Sequence, residues 1–299
     1  MAQQLVNAIW LGSVYSLFAL GYALIFSVLG VLNLAHSAVF MWGAWIGLVI
    51  VTEAALPLWI AIPAAMLGAG LISFALERIA FAPLRKRNAP RIAQLISSIG
   101  ASVVLVSLAQ LVFGTNPARF PIGTIPTDPI LIGTTIDGSP LLRIAPIQIV
   151  ILIVAVVLMA LLNVLIQRTR LGQRMRAVAF NQRTASLLGI NVGAIYTITF
   201  FLAGALAGAA GVLYALAYNQ LTPFIGEGIA LKGLTVIVLG GLGNIQGALV
   251  GGFVVAALEV FSVAAGGSNY RDAIVFALLF VILLVRPQGL VGEKAQTRA

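Results

Sequence analysis

PIQIVILIVAVVLMALLNVLI, residues 146–166, is the stretch whose reading decides the fold. It carries no charge, and about 20 helical residues at roughly 1.5 Å each span the hydrocarbon core of a bilayer. A closed barrel would instead need segments of about ten residues alternating apolar and polar, and 149–162 shows no alternation. Working outward, 61% of the 299 residues are hydrophobic and 8% are charged, against about a quarter charged in a soluble domain. No water-soluble fold hides that much apolar surface. The sequence therefore predicts an all-α, polytopic transmembrane bundle forming a single membrane domain over 1–299.

Apolar blocks and their breakers place spans near 5–29, 34–51, 57–77, 92–113, 146–166 and 193–218. A long apolar stretch at 230–263 is interrupted by Gly240-Gly241-Leu242-Gly243-Asn244, and a short span at 269–285 ends at Arg286-Pro287. The total is about 8 membrane helices with a broken or re-entrant segment near 230–263. The first 30 residues contain no basic residue, unlike the charged start of a cleavable signal, and are expected to remain in the mature chain.

The net charge of +9 is informative through its placement. Thirteen of the 17 basic residues fall in three clusters: Arg78 to Arg91, Arg168 to Arg183, and the tail residues Arg286, Lys294 and Arg298. Positive charge stays on the cytoplasmic side, so the N-terminus and the loop 114–145 lie outside, and 230–263 enters and leaves by the outer face. The outer loop, rich in Pro, Gly and Thr and including Asn116-Pro117, Asp128-Pro129 and Asp137-Gly138, reads as turns with a short hairpin. A faint echo between 33–37 and 230–234, each a polar spot opening an apolar stretch, hints at a repeat without establishing one.

Several chemistries lack material. Lys86, Lys232 and Lys294 are not followed by Ser or Thr, so there is no P-loop. One histidine, no cysteine and eight scattered acidic residues offer neither a zinc motif nor a paired-carboxylate site. No catalytic residue, metal ligand, bound cofactor or nucleic-acid partner is expected of this chain. The basic stretch 167–192 is too polar to cross the membrane and reads as an amphipathic helix at its cytoplasmic face. Its apolar positions Ala185, Leu187, Leu188 and Ile190 are expected to project toward a partner, with Gly189 ending the helix.

RAVAFNQRTASLLGI from Arg176 resembles the coupling loop by which importer permeases dock into an ATPase subunit. GSVYSLFALGYALIFSVLGVLNLAHSAVFMWGA from Gly12, KGLTVIVLGGLGNIQGALVGG from Lys232 and RDAIVFALLFVILLVRPQGLVG from Arg271 are similar to permeases of branched-chain amino acid importers. The Asn-Leu-Ala-His run resembles the H-type rather than the M-type subunit. Ser37 stands where the family commonly has Gly, and 180–182 lacks the acidic residue often seen in the coupling loop. The resemblance implies a multi-pass protein of the bacterial inner membrane, translocating branched-chain or similar amino acids by alternating access. It also implies a second, M-type permease in a heterodimer, two ATPase subunits that use ATP and Mg²⁺, and an extracytoplasmic binding protein. Arg176, Arg183, Thr184, Ala185, Leu188 and Gly189 become the coupling candidates. A proton-coupled secondary transporter, a channel, and the same architecture carrying urea or a short amide stay open as alternatives.

Polar groups at membrane depth are the pathway candidates, because a charge near the bilayer centre costs about 2.5–3.5 kcal/mol on insertion scales. Lys232 is either an interfacial lysine reaching the headgroups or a gating contact, and Glu259 is expected to pair with it structurally. His36 is expected to bond a neighbouring backbone group, with a proton relay as the alternative. Asn33 is expected to cap the second helix. Helix ends near Asn33, Gly243 and Asn244 could offer amides or carbonyls to a zwitterion. The glycine ladders 243/247/251 and 204/208 read as close helix packing. Trp10, Trp42, Trp45 and Trp59 read as headgroup anchors.

Overall fold

Helix boundaries follow local chemistry. In the computed structural model, which describes residues 1–121, 123–124, 128–134, 140–286 and 288–291, α1 (Ala2–Leu29) ends on Gly30 in the left-handed region at φ 70°. A short α2 (His36–Thr52) follows, then α3 (Leu58–Leu76), a π-helical turn at Glu77–Phe81, and α4 (Ala82–Lys86). Helix α5 (Arg91–Phe113) leads into a hairpin of β1 (Ile130–Thr134) and β2 (Pro140–Ile144), with Ile130 opposite Ile144. Helix α6 (Pro146–Arg168) starts with proline, which needs no amide partner in the first turn, while the Gln148 side chain accepts the Ala145 amide at 3.2 Å. Next come α7 (Arg170–Phe180), α8 (Gln182–Leu187) and α9 (Val192–Tyr218), then α10 (Ile225–Gly240), α11 (Ile245–Ala264) and α12 (Arg271–Val285). Pro287, Lys294, Arg298 and the Asp137-Gly138 turn lie outside the described residues.

Seven of the described helices are long and apolar enough to cross a bilayer, while α2 and α10 are shorter at 17 and 16 residues. Helix α1 forms the axis, packed by α9, α11, α10 and α6, with α2 and α3 completing the bundle against α9. Small residues make these crossings close. A Cβ on Gly43 of α2 would lie 2.3 Å from the Gly208 Cα of α9, and one on Gly204 would lie 2.4 Å from the Ser73 Cβ of α3. Gly247 and Gly251 meet Gly240 and Val236 of α10, so that ladder packs within the subunit, while Gly243 belongs to the turn before it. Gly43→Leu should therefore destabilise the detergent-solubilised protein by about 1–3 kcal/mol or more, since the clashing atom is backbone. Gly100→Ala, where an added Cβ meets nothing within 4 Å, should leave the melting point within a degree or two.

The two ends of the bundle are distinct. At one, Gln3 exchanges hydrogen bonds with the Arg143 backbone at 3.0 and 2.9 Å, and Ala118 bridges Leu221, so the N-terminus, the hairpin and the α9–α10 link sit together. At the other, Arg91 lies beside Gly30, and Arg176 shares a groove with Ser27 and Gly243. The first two basic clusters thus gather at a common end, which the positive-inside rule makes cytoplasmic. The glycine break resolves as a turn between α10 and α11 at that same end.

Three expectations change. The segment 167–192 forms two helices, not one, because Asn181 is extended and its side-chain oxygen caps α8 by accepting the Thr184 amide at 3.0 Å. Trp45 is buried and stacked on Phe113, Trp42 donates its indole N–H to the Leu105 carbonyl at 2.9 Å, and Trp10 packs edge-on to Tyr218. Only Trp59 of the four stands exposed for the headgroup boundary. Helix α2 begins at the depth of Phe18, about 16 Å along α1 from its Leu29 end, after residues 30–35 climb back into the bundle.

Candidate functional site

The sequence-derived polar residues occupy three places. Near the outer end, Lys232 Nζ lies 2.6 Å from Glu259 Oε1 and 3.4 Å from Asp272 Oδ1, and Arg271 Nε lies 3.9 Å from Glu259. The Tyr15 hydroxyl donates to Glu259 Oε2 at 2.7 Å and accepts from Lys232 at 3.1 Å. Lys232 is buried within α10, so it does not reach out to the headgroups. Opposite charges from α10, α11 and α12 balance one another around the α1 tyrosine.

Deeper in, His36 is fully buried against Phe18 and Tyr22, with Nε2 3.3 Å from the Phe18 carbonyl. Asn33 Oδ1 accepts the Ala35 amide at 3.2 Å and its carbonyl accepts that of His36 at 3.1 Å, so Asn33 shapes the turn before α2 rather than capping the helix itself. At the cytoplasmic end, Gly243 adopts φ +81° and Asn244 caps α11 by accepting the Gly247 amide at 2.9 Å. The Asn244 amide also donates to the Val291 carbonyl at 3.0 Å, tying the turn to the chain beyond α12.

A cleft of about 270 Å³ lies between α2, α5 and 223–227. Met41, Val103 and Val106 are among its apolar lining residues, and Ser102, Ser107, Gln110 and Glu227 among its polar ones. The first turn of α10 abuts it, since a Cβ on Gly226 would lie 2.4 Å from the Ser37 carbonyl oxygen. The cleft borders the bare face of α5, where Ile96, Ile99, Val103 and Val104 are exposed. Ser102, Ser107 and Gln110 escaped the sequence reading because single Ser and Gln residues hardly interrupt an apolar block. Their recurrence along one side of α5 was the available signal.

The cytoplasmic segment is built from caps. Thr169 Oγ1 accepts the Gly172 amide at 3.1 Å to start α7, and an Arg176 guanidinium N–H donates to the Ile166 carbonyl at the end of α6. Gly189 takes φ +82° and closes α8, as its position after the apolar run implies. Ala185, however, faces inward at 2% exposure, whereas Phe180, Leu187 and Leu188 are 82%, 80% and 77% exposed. Arg183 and Thr184 lie on the exposed side with them.

A second ionic cluster was not legible. Glu77, fully buried, accepts from Arg85 Nη2 at 2.7 Å and from Thr197 Oγ1 at 2.9 Å, while the Arg85 guanidinium sits 4.3 Å from the centre of the Tyr196 ring. The π turn carries this arrangement and places the Ala80 carbonyl 3.0 Å from the Ser97 hydroxyl of α5, which donates to it. Glu77 and Arg85 are eight residues apart, outside the spacing that marks helix ion pairs, and Thr197 is 120 residues away.

The chain is thus a bundle of membrane-spanning helices with a mixed polar and apolar cleft beside α5 and an amphipathic segment at its arginine-rich end. Residues 4–283 match the family described as branched-chain amino acid transport system / permease component, and the chain belongs to that family. It is 36% identical over 301 residues to the high-affinity branched-chain amino acid transport system permease protein LivH of Salmonella typhimurium, covering 97% of this chain and 95% of that one. The BraD permease of Pseudomonas aeruginosa is likewise 36% identical over 302 residues, with the same coverage of both chains. A shorter likeness, 31% over 127 residues and 40% of each chain, links it to the ribose import permease protein RbsC of Escherichia coli. As a permease component, the chain is one part of a larger transport system.

Proposed function

We propose that this chain is one of two permease subunits in an ATP-driven importer of the bacterial inner membrane, moving branched-chain amino acids inward. Its companions would be an M-type permease, two ATPases that bind the ATP and Mg²⁺, and an extracytoplasmic binding protein. The observation that carries this reading is the trio Phe180, Leu187 and Leu188, bare at the arginine-rich end of the bundle. Three large apolar side chains presented there match a docking knob for a cytoplasmic partner. The cleft beside α5 supports the substrate class. Its valines and methionine suit a branched aliphatic side chain, its hydroxyls and amide suit a zwitterion, and the bare face of α5 suits a second permease closing over it. The proton-driven alternative would use His36 and Glu259, which the fold holds in separate networks, His36 fully enclosed.

The test is ATP-dependent leucine uptake into vesicles holding the chain with its companion subunits. Leu187→Asp combined with Leu188→Asp should leave insertion intact, remove the ATPase from the purified complex and lower uptake at least about tenfold. Leucine uptake without any ATPase, or uptake unaffected by the double change, would sink the proposal. Ala185→Arg is expected to disturb folding instead, because its side chain is enclosed.

A further inference from the structure

We infer that the groove at the cytoplasmic end, between α1, α6, α7 and the α10–α11 turn, binds an anionic phospholipid of the inner leaflet. The groove measures about 830 Å³, and its apolar wall includes Leu24, Val28, Ile166, Met175 and Leu283. Arg176 stands at its cytoplasmic side, and among the described residues no acidic one lines it. One Arg176 N–H is committed to the Ile166 carbonyl, which fixes the guanidinium and leaves further donors for a phosphate.

Position selects lipid over a soluble ligand. Ile166 of α6 and Leu283 of α12 both line it, and both helices present exposed apolar residues, Val164 on one and Leu284 and Val285 on the other, to the surroundings of the bundle. The basic end is cytoplasmic, so the opening lies at the depth where inner-leaflet headgroups meet acyl chains. Acyl carbons fit the apolar wall, and the permanent charge of Arg176 meets the phosphate. No residue of α2 or α5 lines this groove, so it is separate from the cleft assigned to substrate.

The full-length chain is equilibrated with mixed vesicles of phosphatidylglycerol and phosphatidylcholine, extracted in mild detergent, and its retained lipid counted by mass spectrometry. Wild type should retain phosphatidylglycerol preferentially, and Arg176→Gln should reduce that preference roughly fivefold. Because Arg176 also holds the end of α6, Ala179→Trp is the second variant. Ala179 is exposed on the groove wall, and a bulky ring there should lower total retained lipid while the fold persists. Equal retention of both lipids, or a preference that survives both substitutions, overturns the inference. So does displacement of the lipid by inorganic phosphate or by the partner ATPase, or retention that rises when residues 292–299 are deleted, which would make the tail the occupant.

Discussion

Lys232→Ala is expected to cost about 3–5 kcal/mol of stability, because it strands the Glu259 carboxylate at 4% side-chain exposure. What remains near Glu259 is the Tyr15 hydroxyl and Arg271, whose Nε is 3.9 Å away and whose side chain is about half exposed. Neither replaces an ammonium at 2.6 Å. The sharper expectation concerns the combined variant. Lys232→Met with Glu259→Leu and Tyr15→Phe removes the charges and the hydroxyl that serves them, so most of the lost stability should return, as it does when buried ion pairs are replaced whole. Unfolding curves in detergent, titrated with a denaturing detergent, read both results. A single variant as stable as wild type would mean that water reaches Glu259. Leucine uptake by the combined variant then separates two roles: retained uptake makes the network an anchor for α12, and lost uptake in a stable protein makes it a gate.

This network shows what one sequence can disclose about such a fold. Lys232 and Glu259 announced themselves because charge is rare in apolar blocks, and their pairing followed from both flanking one glycine break. Tyr15 could not be foreseen, since a tyrosine in an apolar span is unremarkable until a carboxylate lies 2.7 Å from its oxygen. Span positions were readable to within a few residues, because hydrophobic length is set by the bilayer and not by tertiary detail. Depth was not: that α2 starts level with Phe18 depends on how 30–35 folds back, which periodicity does not encode. The amphipathic segment 167–192 was legible as a segment but not by face, since Asn181 breaks the helix and Ala185 faces inward. Serines within α5 carried too little polarity to mark the cleft they line.

The Glu77 cluster yields the second large effect, and it should be asymmetric. Arg85→Ala leaves a fully buried carboxylate with the Thr197 hydroxyl and with Arg78 at 3.8 Å, a side chain 59% exposed, so about 2–4 kcal/mol should be lost. Glu77→Ala leaves Arg85, whose side chain is 27% exposed and lies over the Tyr196 ring, so the loss should be smaller, about 1–2 kcal/mol. Measured unfolding that ranks Glu77→Ala as the worse change would show that Arg85, not Glu77, is the group held away from water. A functional consequence follows from the chain path. Helix α8 leads through Gly189 directly into α9, and Thr197 on that helix holds Glu77 at the foot of α3. If Leu187 and Leu188 take the push of an ATPase, it would reach α3 through this hydroxyl–carboxylate contact beside the π turn as well as through the close α9–α3 packing at Gly204 and Gly208. Thr197→Val should remove that contact for about 1 kcal/mol of stability. If the contact transmits, leucine moved per ATP hydrolysed should fall severalfold while hydrolysis itself continues. A ratio equal to wild type would confine Glu77 and Thr197 to holding α3 against α9, with the coupling motion running instead through the packed glycines Gly204 and Gly208.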